Sequence, residues 1–192
     1  MSTSVDWDVS PTVPSLAPYE KTAVFIHLAS LFRSAKLIGK HVDFAELRDH
    51  LITEYNPSTF RAYVTVTVAS EVGNISGLVQ WMMHNGYHVV QREKRVIASD
   101  YGPPRVIGNI DMDFAVDVME CAQSLDHAIL FFGSSDGTRL IEALHRRNVR
   151  VTVAGVYGTR DSSVSNEIYK AADDFLAFED FPPAVIKNAG DI

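Results

Sequence analysis

Residues 108–122, GNIDMDFAVDVMECA, put three carboxylates, Asp111, Asp113 and Asp117, within seven positions at the start of a segment with helical periodicity. Asp113, Asp117 and Glu120 follow the i, i+4, i+7 spacing and share one helix face, while Phe114, Val118, Cys121 and Leu125 form an apolar stripe on another. Asp111 is expected to cap the helix through its side-chain oxygen. Two chemistries fit this pattern. One is a solvated helix whose acidic start is favoured by the macrodipole. The other is a site for a hard divalent cation, since Mg²⁺ takes oxygen ligands from one or two carboxylates, water and substrate phosphate.

The elements around this helix decide where such a site would lie. Residues 22–26, TAVFI, form a short continuous apolar run suited to a strand buried on both faces, ending at His27, and residues 28–38 continue with helical spacing. Asp43 precedes a second helix, residues 44–51, with Glu46 completing a capping arrangement. Strands are expected at residues 60–69, 87–92, 128–132, 150–156 and 175–178, with helices at 78–84 and 139–148 and another between Asp161 and Ala172. Residues 93–109 read as a loop. Residues 1–20, with Pro11, Pro14 and Pro18 around Ser and Thr, read as a flexible arm carrying Trp7, and residues 179–192 as a tail that does not extend the core. Strands alternating with helices across short connections imply a three-layer α/β domain, residues 21–178, with a mostly parallel sheet. In such sheets ligands collect beyond the carboxyl ends of the strands. Three segments meet that description: residues 27–30, 111–117 and 133–138.

Composition narrows the class. The 192 residues are 46% hydrophobic and 21% charged, ordinary for one domain with short appendages. No apolar run is long enough to span a bilayer, and the first residues lack the basic start and apolar stretch of a signal peptide, so a cytoplasmic protein with no membrane association is expected. The single cysteine, Cys121, excludes an internal disulfide and a cysteine metal cage, and its place on the apolar stripe predicts a buried thiol. A net charge of −7 argues against a broad basic surface for nucleic acid, though a local basic rim is compatible with it. Arg92, Lys94, Arg95 and Arg105, with Tyr101 among them, supply such a rim in the loop before the acidic helix.

Taken in order, AVFIHLASLFRSAK, VDFAELRDHL, RAYV, LVQWMMHNGYHVV, GNIDMDFAVDVMECA, AILFFGSSDGTRLIEALHRRNVRV and SNEIYKAADDF resemble the NYN-domain group, in its LabA-like branch, within the PIN-like nuclease superfamily. The resemblance spans roughly residues 21–178. It implies a Mg²⁺- or Mn²⁺-dependent ribonuclease acting on single-stranded RNA, with Asp111, Asp117 and Asp136 as metal ligands and, with His27, as catalytic residues. Ser30, Ser134, Ser135, Arg95 and Arg105 are then the expected substrate contacts. This chain departs from the family's motifs at several positions: His27 and Ser30 replace the Asp and Asn of the first motif, Gly108 the Lys of the second, and Ser134 the first Asp of the third. Imidazole suits Mn²⁺ or Zn²⁺ better than Mg²⁺, and serine is a poor ligand for either. The inherited reaction is therefore expected to be weakened or lost. A second possibility is a non-catalytic regulatory or scaffold protein that uses the fold for protein partners or a homodimer.

Other motifs carry less. The remaining six histidines lack paired ligand spacing, and only His27 falls at the inferred cleft, where a general-base role is conceivable because neighbouring carboxylates favour its charged form. Ser134-Ser135-Asp136 lacks a nucleophile elbow and a triad order. Residues 133–138 open a helix and suit phosphate, but neither a dinucleotide fingerprint nor a P-loop is present.

Overall fold

The computed structural model describes residues 21–67, 72–97, 105–107, 110–158 and 161–188; for residues 65–67, 72–76, 94–97 and 105–107 it describes the backbone course alone. The N-terminal arm, Tyr101 and Gly108 lie outside the described residues.

Six parallel strands form the centre: β1 (Thr22–His27), β3 (Thr59–Thr67), β4 (Tyr87–Ile97), β6 (His127–Phe131), β7 (Arg150–Gly155) and β8 (Asp174–Ala177), with β5 (Arg105–Ile107) antiparallel on the edge. Their order is β5-β4-β3-β1-β6-β7-β8, so the chain winds outward from β1 in one direction and then from β6 in the other. The order reverses between β1 and β6, which is where an open parallel sheet leaves a crevice.

Alternation along the strands divides the core. Val24 and Ile26 of β1, with Ile129 and Phe131 of β6, face the layer formed by α1 (Leu28–Leu37), α2 (Phe44–Tyr55) and α3 (Val72–His84). Ala23, Phe25, Ala128 and Leu130 face α4 (Asp111–Cys121), α5 (Thr138–His145) and α6 (Asn166–Ala171). Every residue of β1 is buried, as a central strand covered on both faces requires. Asp43 caps α2 by accepting from the N–H groups of Ala45 and Glu46, as its spacing predicts.

Four expectations change. The loop expected at residues 93–109 instead continues β4 to Ile97 and folds back as β5, because Arg95, Val96 and Ile97 find backbone partners in Ile107, Val106 and Arg105. Residues 179–188 do join the core. Phe181 and Val185 are buried, and β9 (Ile186–Asn188) pairs with the short strand β2 (Lys40–Val42). Asp111 does not cap α4: Ile110 occupies that position without a side-chain bond, and Asp111 is the first helical residue. Cys121 is half-buried rather than fully buried, and burial raises its thiol pKa.

His127, at the opposite end of the sheet from the crevice, has no exposed surface, and its Nε2 lies 2.7 Å from Thr152 Oγ1. Burial, assisted by Arg150, lowers its pKa to about 4. A folded-state pKa below the unfolded value of about 6.5 means that the unfolded chain binds more protons, so stability is full above pH 6.5 and falls as pH drops toward 4. A loss of about 3 kcal/mol over that window is expected from this group. Denaturant titrations of wild type and His127→Gln between pH 4 and 7 check it: the variant should show the shallower pH dependence.

Candidate functional site

β1 turns directly into α1 with no intervening loop, and the turning residue is His27. It serves as the N-cap of α1, where its Nδ1 accepts from the Ser30 N–H at 3.3 Å and lies 3.1 Å from Ser30 Oγ. A ring nitrogen that accepts from an amide carries no proton, so in the neutral ring the proton sits on Nε2. That Nε2 is buried and 3.1 Å from Asp111 Oδ1, but not aligned for a formed hydrogen bond. The imidazole meets Phe114 and Phe132 in T-shaped contacts, and those two phenyl rings stack at 5.0 Å. Burial in this aromatic setting lowers the His27 pKa, with Asp111 opposing the shift through charge and contact. The expectation that carboxylates would keep His27 charged is thus corrected: desolvation is the larger effect.

The carboxylates of α4 turn toward the sheet. Asp113 Oδ2 and Oδ1 accept from Arg92 Nε and Nη2 at 2.6 and 2.5 Å, a bidentate pair that holds the Asp113 carboxyl below its ordinary pKa. Arg92, expected among the phosphate-binding cations, is thereby engaged within the protein. Asp117 Oδ2 accepts from Tyr63 Oη at 3.1 Å and from Arg61 Nη1 at 3.3 Å, both side chains rising from β3. Burial and the adjacent carboxylate push the Tyr63 phenol well above its usual range. Sequence reasoning passed over Arg61 and Tyr63. Their signal was there, since an arginine on one face of a central, buried strand needs an anion opposite it.

Beyond β6, Ser134, Ser135 and Asp136 lie exposed on a short 3₁₀ turn, Ser135–Gly137, that leads into α5. Gly133 fixes the start of this turn. A Cβ there would stand 2.1 Å from the Ser163 carbonyl oxygen, and the Gly133 carbonyl accepts from the Ser165 N–H at 2.9 Å. Ser163 Oγ in turn sits 2.6 Å from Ser34 Oγ, and Ser34 donates to the Ser30 carbonyl, so one polar network joins the first turns of α1 to the 163–165 segment and the β6 turn. His27, Ser30, Asp111 and the 133–138 turn therefore border the crevice at the switch point. Asp117 instead faces β3. The backbone of Arg95 and Arg105 lies in the β4–β5 ribbon, and their side chains are outside the described residues.

As to a divalent cation, no group of three or more His, Cys, Asp or Glu side chains that could hold a metal occurs among the described residues. Asp111, Asp117 and Asp136 do not come together as one such set, and the carboxylate oxygens of Asp113 and Asp117 already accept from arginine and tyrosine. The side chains as they stand do not fit a metal ion.

A doubly wound parallel sheet between two helix layers, with an acidic helix beginning at its switch point, defines a three-layer α/β/α domain. The NYN domain matches residues 21–179, and the chain belongs to that family. In structure it is similar to a protein of unknown function from Vibrio parahaemolyticus, 21% identical over 88% of this chain and 98% of that one, with a TM-score of 0.69, a likeness of fold alone. A possible 1-phosphofructokinase from Thermotoga maritima is 15% identical over 61% of this chain and 42% of that one at a TM-score of 0.30, too slight to bear on the fold. No curated protein matches the chain. Among the described residues, no helix is long and apolar enough to cross a membrane.

Two substitutions check this geometry. Gly133→Ala forces the β6 turn away from Ser163 and should destabilise the domain by about 1–3 kcal/mol, read from the denaturation midpoint. Tyr63→Phe keeps the ring but leaves Asp117 without its hydroxyl donor, and should cost about 1–2 kcal/mol in the same measurement.

Proposed function

We propose that this chain is an RNA-interacting NYN protein in which metal-dependent phosphodiester cleavage, the reaction inherited with the family, is weakened or lost. Family membership supplies the substrate class, since NYN domains belong to a nuclease-like superfamily. The observation that carries the weakening is the state of the acidic helix. By the family resemblance His27 takes the place of the first-motif carboxylate, and Asp113 and Asp117 are engaged by Arg92, Arg61 and Tyr63. Asp111, Asp117 and Asp136 are the carboxylates that the family resemblance assigns to the reaction, and His27 lies beside Asp111. Ser30, Ser134 and Ser135 border the crevice where an RNA backbone would pass. Arg95 and Arg105, on the ribbon next to α4, are the proposed phosphate contacts.

A scaffold role has one observation in its favour. Met112 and Val116, on the outer side of α4, are 72% and 46% exposed, an apolar surface on the same helix.

Fluorescence anisotropy with a single-stranded RNA, run beside a cleavage assay in Mg²⁺ and Mn²⁺, tests the proposal. The expected result is salt-dependent binding, reduced in Arg95→Ala and Arg105→Ala, with little or no cleavage; any cleavage that is seen should vanish in Asp111→Asn. Absence of RNA binding, with the protein folded, would sink the RNA reading and leave the scaffold one. Rapid metal-dependent turnover would show the reaction to be intact.

A further inference from the structure

The inward side of α4 carries a feature that catalysis would not require. Asp111, Asp113 and Asp117 each have a donor set against them from a different strand. Near Asp111 it is the Nε2 of His27, 3.1 Å away at the end of β1 but not aligned as a hydrogen bond. For Asp113 it is the Arg92 guanidinium, from β4. For Asp117 it is Arg61, with the Tyr63 hydroxyl, from β3. A carboxylate laid against a sheet and partly out of water needs a compensating charge or donor, and a helix dipole supplies only part of it. A divalent ion is one remedy. Fixed side-chain donors are another, and a carboxylate already bonded to a guanidinium gives up that bond before it can ligate an ion.

We propose that Arg61 and Arg92 are the permanent counter-charges of this helix and take the electrostatic place of a divalent cation, so that the site is organised without one. The inference deepens the proposed function and rests on that reading of the site, but it concerns how the site is held rather than what it binds. Arg92 pairs in the fork geometry that fits a carboxylate on both oxygens, which a mobile ion would have to displace. Arg61 is the less exposed of the two. Its side chain is about a quarter exposed, and its Nε is buried without a partner, so the guanidinium is retained at a polar cost and with its charge directed at Asp117.

The test is thermal unfolding in chelator-treated buffer and with added Mn²⁺ or Mg²⁺, using the whole chain. A metal site filled at a hundredfold excess over its Kd would raise the Tm of a domain this size by roughly 5–10 °C. Wild type should show no such rise. Arg92→Met, an exposed change that leaves the core untouched, should unfold at lower temperature without metal and recover with Mn²⁺ as Asp113 becomes available. Arg61→Met, which keeps the aliphatic packing, should behave likewise through Asp117. Adding Asp113→Asn to Arg92→Met should abolish that recovery. The proposal is overturned by a wild-type Tm that climbs with Mn²⁺, or by both arginine variants remaining indifferent to it. RNA anisotropy on the same samples keeps the two ideas apart: a metal-indifferent wild type that fails to bind RNA refutes the proposed function and leaves this inference standing.

Discussion

A helix that lays carboxylates against a sheet must find a donor for each of them, because an ionised carboxylate taken out of water without one costs far more than its helix contributes. In this chain that requirement fixes which residues of β1, β3 and β4 face α4. Parallel register places His27 level with Tyr63, and Arg92 opposite Thr65, two residues further along β3. Arg61 lies two residues before Tyr63. From Asp113 to Asp117 the helix advances by about 6 Å, a little over one turn, so its acids stay on one face while they descend along the strands. The higher acid meets Arg92 and the lower one meets Tyr63 and Arg61. Helix and strands run past each other with matched charges, and neither pattern works without the other.

The same requirement explains why much of the fold was legible and part of the site was not. Buried parallel strands announce themselves by composition: AVFI and AILFF are apolar throughout because both faces are covered. Asp43 could be read as a cap because a cap is a local event, decided within three residues. Asp111 could not, since its role depends on where the end of β1 lies, and that places an imidazole rather than a free helix end beside it. The partners of Asp113 and Asp117 are separated from them by 21 to 56 positions in the chain, and no local pattern links such residues. The β5 ribbon and the β2–β9 pair escaped notice for a similar reason. Three-residue strands carry almost no periodicity, and their existence is settled by a partner segment elsewhere.

Gly133 and the serines around it show how the crevice is given its shape without any of the acidic residues. The 163–165 backbone approaches so closely that only a hydrogen fits on the Gly133 Cα, and the Ser30, Ser34, Ser163 relay ties that backbone to α1. The turns after β1 and after β6 are thus held at fixed separation from opposite sides of the sheet's reversal point. A crevice built this way keeps its outline whether or not the carboxylates beside it are paired, which separates the persistence of a binding surface from the persistence of a reaction.

His27 is where those two properties meet. As a general base it would need an unprotonated nitrogen facing the crevice, and its only unprotonated nitrogen is committed to the Ser30 amide as the cap of α1. Turning the ring to expose Nδ1 would uncap the helix and move the imidazole off Phe114 and Phe132. Protonating it would strengthen the contact with Asp111 but would also place a charge in the aromatic setting that burial already disfavours. A carboxylate at this position could not satisfy Asp111 without an added cation, whereas a neutral imidazole presents its N–H. The histidine is best understood as a structural residue: it closes the β1 to α1 turn by accepting at Nδ1, and its Nε2 faces the first acid of α4 at 3.1 Å.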